Sequence, residues 1–216
     1  MITARPLAAR RIVAQRIRGL LLGDTGAGAA FDPLSLFSDG EVGTFNDIQT
    51  YSTSYFTDTA GTDPAELEDA IALVLDQSGN GINWSEATAG NRPLLTTDGG
   101  FPVLNFASAK SLSCTLAADT YTIVLATRDG IWIDSVAHAG GAFAIGPTTY
   151  TVGPVGLLSI TGTKLIGPPL LLNRQLTSPE QSALIQFLQN RGAGALYDSS
   201  ALSWNSATDT YGGIYA

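Results

Sequence analysis

Between residues 101 and 173 the chain presents a run of short segments rich in apolar, Thr and aromatic residues. They fall at 101–106, 111–116, 120–127, 130–136, 141–145, 149–152, 155–161 and 169–173, and Gly, Pro, Asp or Ser separates most of them. Segments this short suit strands better than helices, and many of them at near-regular spacing build a sandwich or jelly roll rather than a βαβ sheet. The 24 glycines supply turns, and 216 residues suit one domain with an appendage. Hydrophobic residues make up 44% and charged ones 14%, against a usual charged share of roughly a quarter, so the composition is not that of a disordered chain.

Local signals fill in the frame. Thr127-Arg128-Asp129-Gly130-Ile131 reads as a hairpin with Asp129-Gly130 at its tip. Thr50–Thr57, rich in Tyr, Thr and Phe, reads as a strand. Asp63, Pro64 and Glu66 predict a short helical turn over 62–72, and Asp76–Gly81 a tight turn in which Gly79, Asn80 and Gly81 tolerate positive φ. A closing helix is predicted over 178–191, with Thr177 or Ser178 as N-cap, Pro179 in the first turn, Leu184, Ile185 and Leu188 facing inward and Gly192 as the stop. Residues 193–216 read as a hairpin or an extended tail carrying two aromatic anchors.

The first 30 residues differ from the rest. Ala9, Val13, Ile17, Leu20 and Leu21 share one face of a predicted helix, Arg11 and Arg18 lie opposite, and Arg10 and Arg16 flank the stripe. Residues 1–22 hold five arginines and no acid; the remainder holds six basic and nineteen acidic residues, a net −13 within an overall −8. A short amphipathic helix is marginal alone in water, and Gly23–Ala30 behind it contains mostly small residues. Together these predict a basic docking arm on a linker, with Arg10, Arg11, Val13, Arg16, Ile17, Arg18, Leu20 and Leu21 meeting an acidic neighbour, a copy of the same chain included. An acidic body repels phosphates, so nucleic acid is not an expected partner. No apolar run of about eighteen residues occurs, and Arg16 and Arg18 interrupt the only stretch resembling a signal peptide, so neither a membrane partner nor a secretory leader is expected.

Leu75–Pro93, with D-Q-S-G-N-G followed by R-P, is similar to the D-x-S-G-N-G … R-P signature of laminin-G-like, concanavalin-type jelly rolls found in phage and prophage virion proteins. Phe101–Phe106 matches the strand that follows that turn, and Leu170–Gln181 resembles the closing strand and C-terminal helix of such modules. The resemblance covers roughly residues 31–116 and 169–192. About fifty residues separate the two blocks, fewer than a complete jelly roll takes, so a trimmed sandwich or one completed by a neighbour is expected. The expected fold is therefore a mainly β sandwich over 31–192, with an N-terminal helical arm and one C-terminal helix.

Chemistry is thinly represented. His138 is the only histidine and Cys114 the only cysteine, which leaves no imidazole or thiolate metal set, no nucleophile–base pair and no intrachain disulfide. Asp76, Asn80 and Asn83 offer oxygen ligands for calcium, but a turn-stabilising role weighs more. Glu66, Glu68 and Asp69 lie in one short segment and read as a solvated face rather than two carboxylates across a cleft. Trp84 and Trp132 are candidate platforms for a sugar ring, against the plainer reading that each packs in a core or interface. No cofactor is expected.

The resemblance and the arm together imply a non-enzymatic virion structural protein of the tail tip, baseplate or fibre region, in contact with other virion proteins and with itself. Contact with a host surface glycan is a further expectation. A capsid decoration protein is the first alternative and a stand-alone carbohydrate-binding lectin module the second.

Overall fold

The computed structural model describes residues 30–107, 109–146, 149–152, 156–159 and 164–194, of which 149–152 and 156–159 are described by their backbone alone. The predicted arm with its docking residues, Arg10 to Leu21, and the tail beyond Gly194 lie outside the described residues. Pro33–Ala216 forms one compact unit.

This unit has the expected mainly β fold, a curled antiparallel sheet with a C-terminal helix. Its strands are β1 Gly43–Thr44, β2 Tyr55–Phe56, β3 Leu73–Val74, β4 Trp84–Ser85, β5 Leu94–Asp98, β6 Phe101–Asn105, β7 Leu112–Ala126, β8 Ile131–Ile145, β9 Thr149–Val152, β10 Gly156–Ser159, β11 Lys164–Leu165 and β12 Leu170–Leu172. The long hairpin of β7 and β8 is the spine, with Leu112 opposite Ile145 at one end and Ala126 opposite Ile131 at the other. Thr127–Gly130 closes it, where Thr127 Oγ1 accepts from the backbone N–H of Asp129 (3.1 Å) and of Gly130 (3.2 Å). The segments expected as separate strands at 111–116 and 120–127 are one strand, as are those at 130–136 and 141–145. The breaks between them, Ala117–Asp119 and Ala137–Gly140, are mostly exposed mid-strand residues rather than turns.

Along its other edge β7 serves two branches. Ser113 pairs with Ser85 of β4, which leads on to β3 and β2; Thr122–Val124 pair with β12, which leads on to β1. The sheet forks at β7. A second sheet, β11-β6-β5, is joined to the first at the bridge between Thr127 and Leu165. Close packing at the end of one branch fixes a glycine: a Cβ on Gly43 would stand 1.9 Å from Leu171 O.

Burial follows this layout. Tyr121 to Ala126 are all buried, so this half of β7 is covered on both faces. One cover is the helix Ser178–Asn190, called α2 here because the one-turn helix Tyr51–Ser54 precedes it as α1. Leu184 and Leu188 of α2 share a hollow of only about 20 Å³ with Phe45, Val124, Ala126 and Leu170, so the helix sits on a filled apolar floor. The N-terminus of α2 is a capping box, with Glu180 N–H donating to Thr177 Oγ1 and Thr177 N–H to Glu180 Oε2. Gly192 ends it at φ +92°.

Two local expectations are corrected. Thr50–Thr57 is not a strand throughout: the 3-10 turn Ile48–Thr50, N-capped by Asp47, runs into α1, and only Tyr55–Phe56 are extended. The segment 62–72 is not helical. Ala65 N–H donates to Tyr55 O and Glu68 N–H to Leu95 O, so these amides stitch β2 to β5, and only a single turn, Asp69 N–H to Glu66 O (3.3 Å), closes within the segment. Glu68 consequently sits at φ +75°.

Candidate functional site

The Asp76–Gly81 turn is as tight as predicted, with Gly79 at φ +91° and Gly81 at φ +70°. Asp76 is its centre. Oδ1 accepts from Ser78 N–H (2.9 Å) and Phe45 N–H (3.1 Å), and Oδ2 from Ser78 Oγ (2.8 Å) and Ile82 N–H (3.3 Å). Asn83 Oδ1 accepts from Asp76 N–H (2.8 Å), and Asn80 Nδ2 donates to Glu41 O (3.1 Å). Gln77 adds a further tie, accepting from Asp47 N–H (2.7 Å) and donating to Thr50 Oγ1 (2.8 Å). The three side chains offered as calcium ligands are thus committed to backbone bonds: Asp76 and Asn80 hold residues 41–45 against the turn, and Asn83 closes the turn itself. Among the described residues no group of three His, Cys, Asp or Glu stands close enough to hold a metal.

Trp84 corrects the sugar-stacking expectation. Its ring is fully buried and meets Phe143 edge-on, with centroids 6.0 Å apart, so no ligand reaches its face. The indole Nε1 and the Tyr55 hydroxyl are buried without a hydrogen-bond partner among the described residues. Trp132 is half-buried on β8, opposite Leu125. The structure does not bring the two rings onto one exposed surface.

The other reactive residue types have structural surroundings. Cys114 is buried on β7, and burial, with Asp76 adding to it, pushes its thiol up to about 12; such a thiol is inert. His138 Nε2 lies 3.3 Å from Gly141 O, and the ring stands edge-on to Phe143. Asp69 accepts from Glu66 N–H (2.8 Å) and braces its own loop, while Glu68 accepts from Thr96 Oγ1 (2.6 Å) and ties that loop to β5.

Two arginines fasten α2 to the sheet. Arg174, just past β12, donates two parallel bonds to Glu180 (2.9 and 2.8 Å) and a third from Nε to Glu41 (3.0 Å). Arg174 holds the Glu180 carboxyl down to about 2, with Thr177 assisting. At the other end, Arg191 donates to both oxygens of Asp47 (2.6 and 3.2 Å) and lies 4.0 Å over the Phe187 ring.

Beside Arg174 lies a polar cleft of about 200 Å³, walled by Asp119, Thr120 and Thr122 of β7, Ser135 of β8, and Asn173, Arg174 and Gln175. None of these residues stands out in the sequence. They come from three distant segments, and Thr120 and Ser135 look like ordinary solvated strand positions until the hairpin sets Thr122 opposite Ser135 and β12 stops at Leu172.

No protein-family model, curated protein or solved structure matches this chain. Fold and site together define a mainly β body with polar side chains spent on joining its parts and, among the described residues, a shallow cleft walled by polar residues beside Arg174.

Proposed function

We propose that the protein is a non-enzymatic structural subunit of a phage-like virion, in the tail tip, baseplate or fibre region. In this reading the basic leader docks it to an acidic neighbour while the β body supplies shape and host contact. The observation that carries the reading is the charge division: five arginines and no acid in residues 1–22, against a net −13 in the rest. Such a division favours head-to-tail contact between copies or with another acidic subunit, because the arginines find carboxylates there and the apolar stripe is buried at the same step. The body supports the same role. Asp76, Arg174 and Arg191 are committed to joining segments, Glu68 ties its loop to Thr96 of β5, and Asp69 braces that loop at the Glu66 amide, which is a division of labour suited to a rigid part.

Removal of residues 1–22 tests the proposal. The truncated chain stays folded and soluble but is missing from purified particles. Full incorporation of the truncated chain rejects the reading. Location of the intact chain by particle imaging separates a tail position from capsid decoration.

A further inference from the structure

The turn that holds Asp76 also carries the chain's only Asn-Gly pair, Asn80-Gly81. Both residues are exposed. Ser78, Asn80 and Ile82 give their backbone N–H groups to Asp76 or Ser78, but the Gly81 N–H has no hydrogen bond among the described residues. A Cβ built on Gly81 would meet nothing within 4 Å, so the body leaves that residue uncrowded. An unpaired amide nitrogen therefore stands directly behind an exposed carboxamide.

Such a nitrogen can close a five-membered ring on the asparagine Cγ, because the two atoms belong to one short stretch of chain. A side chain on the following residue hinders the closure, and a hydrogen bond on its N–H opposes loss of the proton. Gly81 has neither. Every other asparagine in the chain precedes a residue with a side chain. Several are protected further. Asn46 is buried, and the Asp47 N–H behind it goes to Gln77 Oε1 (2.7 Å). Asn91 and Asn190 precede arginines whose N–H groups donate to Ala89 O and Leu188 O. The fold thus leaves one asparagine open to attack by its own backbone.

We infer that Asn80-Gly81 is a self-modifying linkage whose conversion releases the turn from residue 41. Water or hydroxide takes the proton from Gly81 N, the nitrogen bonds to Asn80 Cγ, and the side-chain nitrogen leaves as ammonia. Water then opens the resulting succinimide. Cleavage between the nitrogen and Cγ leaves an aspartate, and cleavage between the nitrogen and the backbone carbonyl carbon leaves an isoaspartate. No oxidant or reductant takes part. Either product removes Asn80 Nδ2, which donates to Glu41 O (3.1 Å) and Ser78 Oγ (3.0 Å). Aspartate puts a carboxylate against the Glu41 carbonyl. Isoaspartate lengthens the backbone ahead of Ile82, whose N–H reaches Asp76 Oδ2 (3.3 Å). The segment that loosens carries the Glu41 carboxylate bound to Arg174 (3.0 Å), so the change reaches the fastening of α2. The inference is independent of the docking arm.

Ageing of the purified full chain at neutral and mildly alkaline pH tests this, with peptide mass mapping and enzymatic methylation of isoaspartate as readouts. Asn80 is expected to convert to both products ahead of every other asparagine, with release of ammonia and a rate that rises with hydroxide. The folded chain should react at most about thirtyfold more slowly than the urea-unfolded chain, since only the two bonds of Nδ2 must be released. Asn80→Gln cannot close the five-membered ring and should stay unconverted at that position. Converted protein, separated by its added negative charge, should exchange amide hydrogens faster at residues 41–45 than the parent does. Asn80→Asp should show the same faster exchange without ageing. Three outcomes overturn the inference: a folded chain slowed beyond that limit, preferential conversion of another asparagine, or converted protein whose exchange at 41–45 matches the parent.

Discussion

Asp76 Oδ1 lies 3.1 Å from the backbone nitrogen of Phe45, a bond that spans 31 residues of sequence and ties together the two branches of the forked sheet. Asp76 lies two residues past β3 and Phe45 directly past β1, and the neighbouring bonds from Gln77 N–H to Phe45 O (2.9 Å) and from Ser78 Oγ to Gly43 O (3.1 Å) join the same two branches, which are also linked through β7. The turn that carries Asp76 thus acts as a cross-tie. Its side chain answers three backbone N–H groups that would be left unsatisfied without it.

Replacement of Asp76 by Ala should destabilise the body by about 2–4 kcal/mol, since charge-assisted bonds are lost and backbone donors are stranded. Asp76→Asn keeps one acceptor oxygen and should cost less. Urea unfolding is the measurement, with the midpoint falling and the slope unchanged. A midpoint of Asp76→Ala equal to that of the parent would contradict the cross-tie.

Glu180 gives a pH dependence with a definite sign. Arg174 and Thr177 hold its folded-state pKa at about 2, below the ordinary 4.5. A depressed carboxyl contributes stability above its unfolded pKa and loses it as pH falls through the folded one. The melting temperature should therefore drop between pH 4.5 and about 2, and Glu180→Gln should flatten much of that slope while lowering stability at neutral pH. Glu41 leaves a residual slope of the same sign, because its own backbone amide and that of Asp39, followed by Arg174, also hold its pKa down.

Arg191→Lys keeps the charge but loses both the fork on Asp47 and the stacking on Phe187. The expected cost is about 1 kcal/mol. It should be localised: hydrogen exchange should speed up at the C-terminal turn of α2 and leave the β7–β8 ladder unchanged.

The parts of this fold that were legible in the sequence are those fixed by neighbours along the chain. Thr177, Pro179 and Glu180 announce α2 because a capping box is local chemistry, and Gly79 and Gly81 announce their turn because both need positive φ. The errors fall where distant partners decide. Tyr51–Ser54 has strand composition yet turns helical after the Asp47 cap, and 62–72 has helical caps yet gives its amides to Tyr55 and Leu95. Trp84, next to a glycine-rich turn, looks accessible but packs on Phe143, a residue 59 positions on. The cleft was invisible for the same reason, as pairing between β7, β8 and β12 assembles it.

The central claim is that residues 1–22 attach the body to another polypeptide, and charge reversal within the full chain addresses it most directly. Arg10, Arg11, Arg16 and Arg18 are changed together to Glu, and the amount of this protein per purified particle is measured against the parent. The account predicts a folded variant that is largely absent from particles and left in the soluble fraction. Incorporation at the parent level would contradict it.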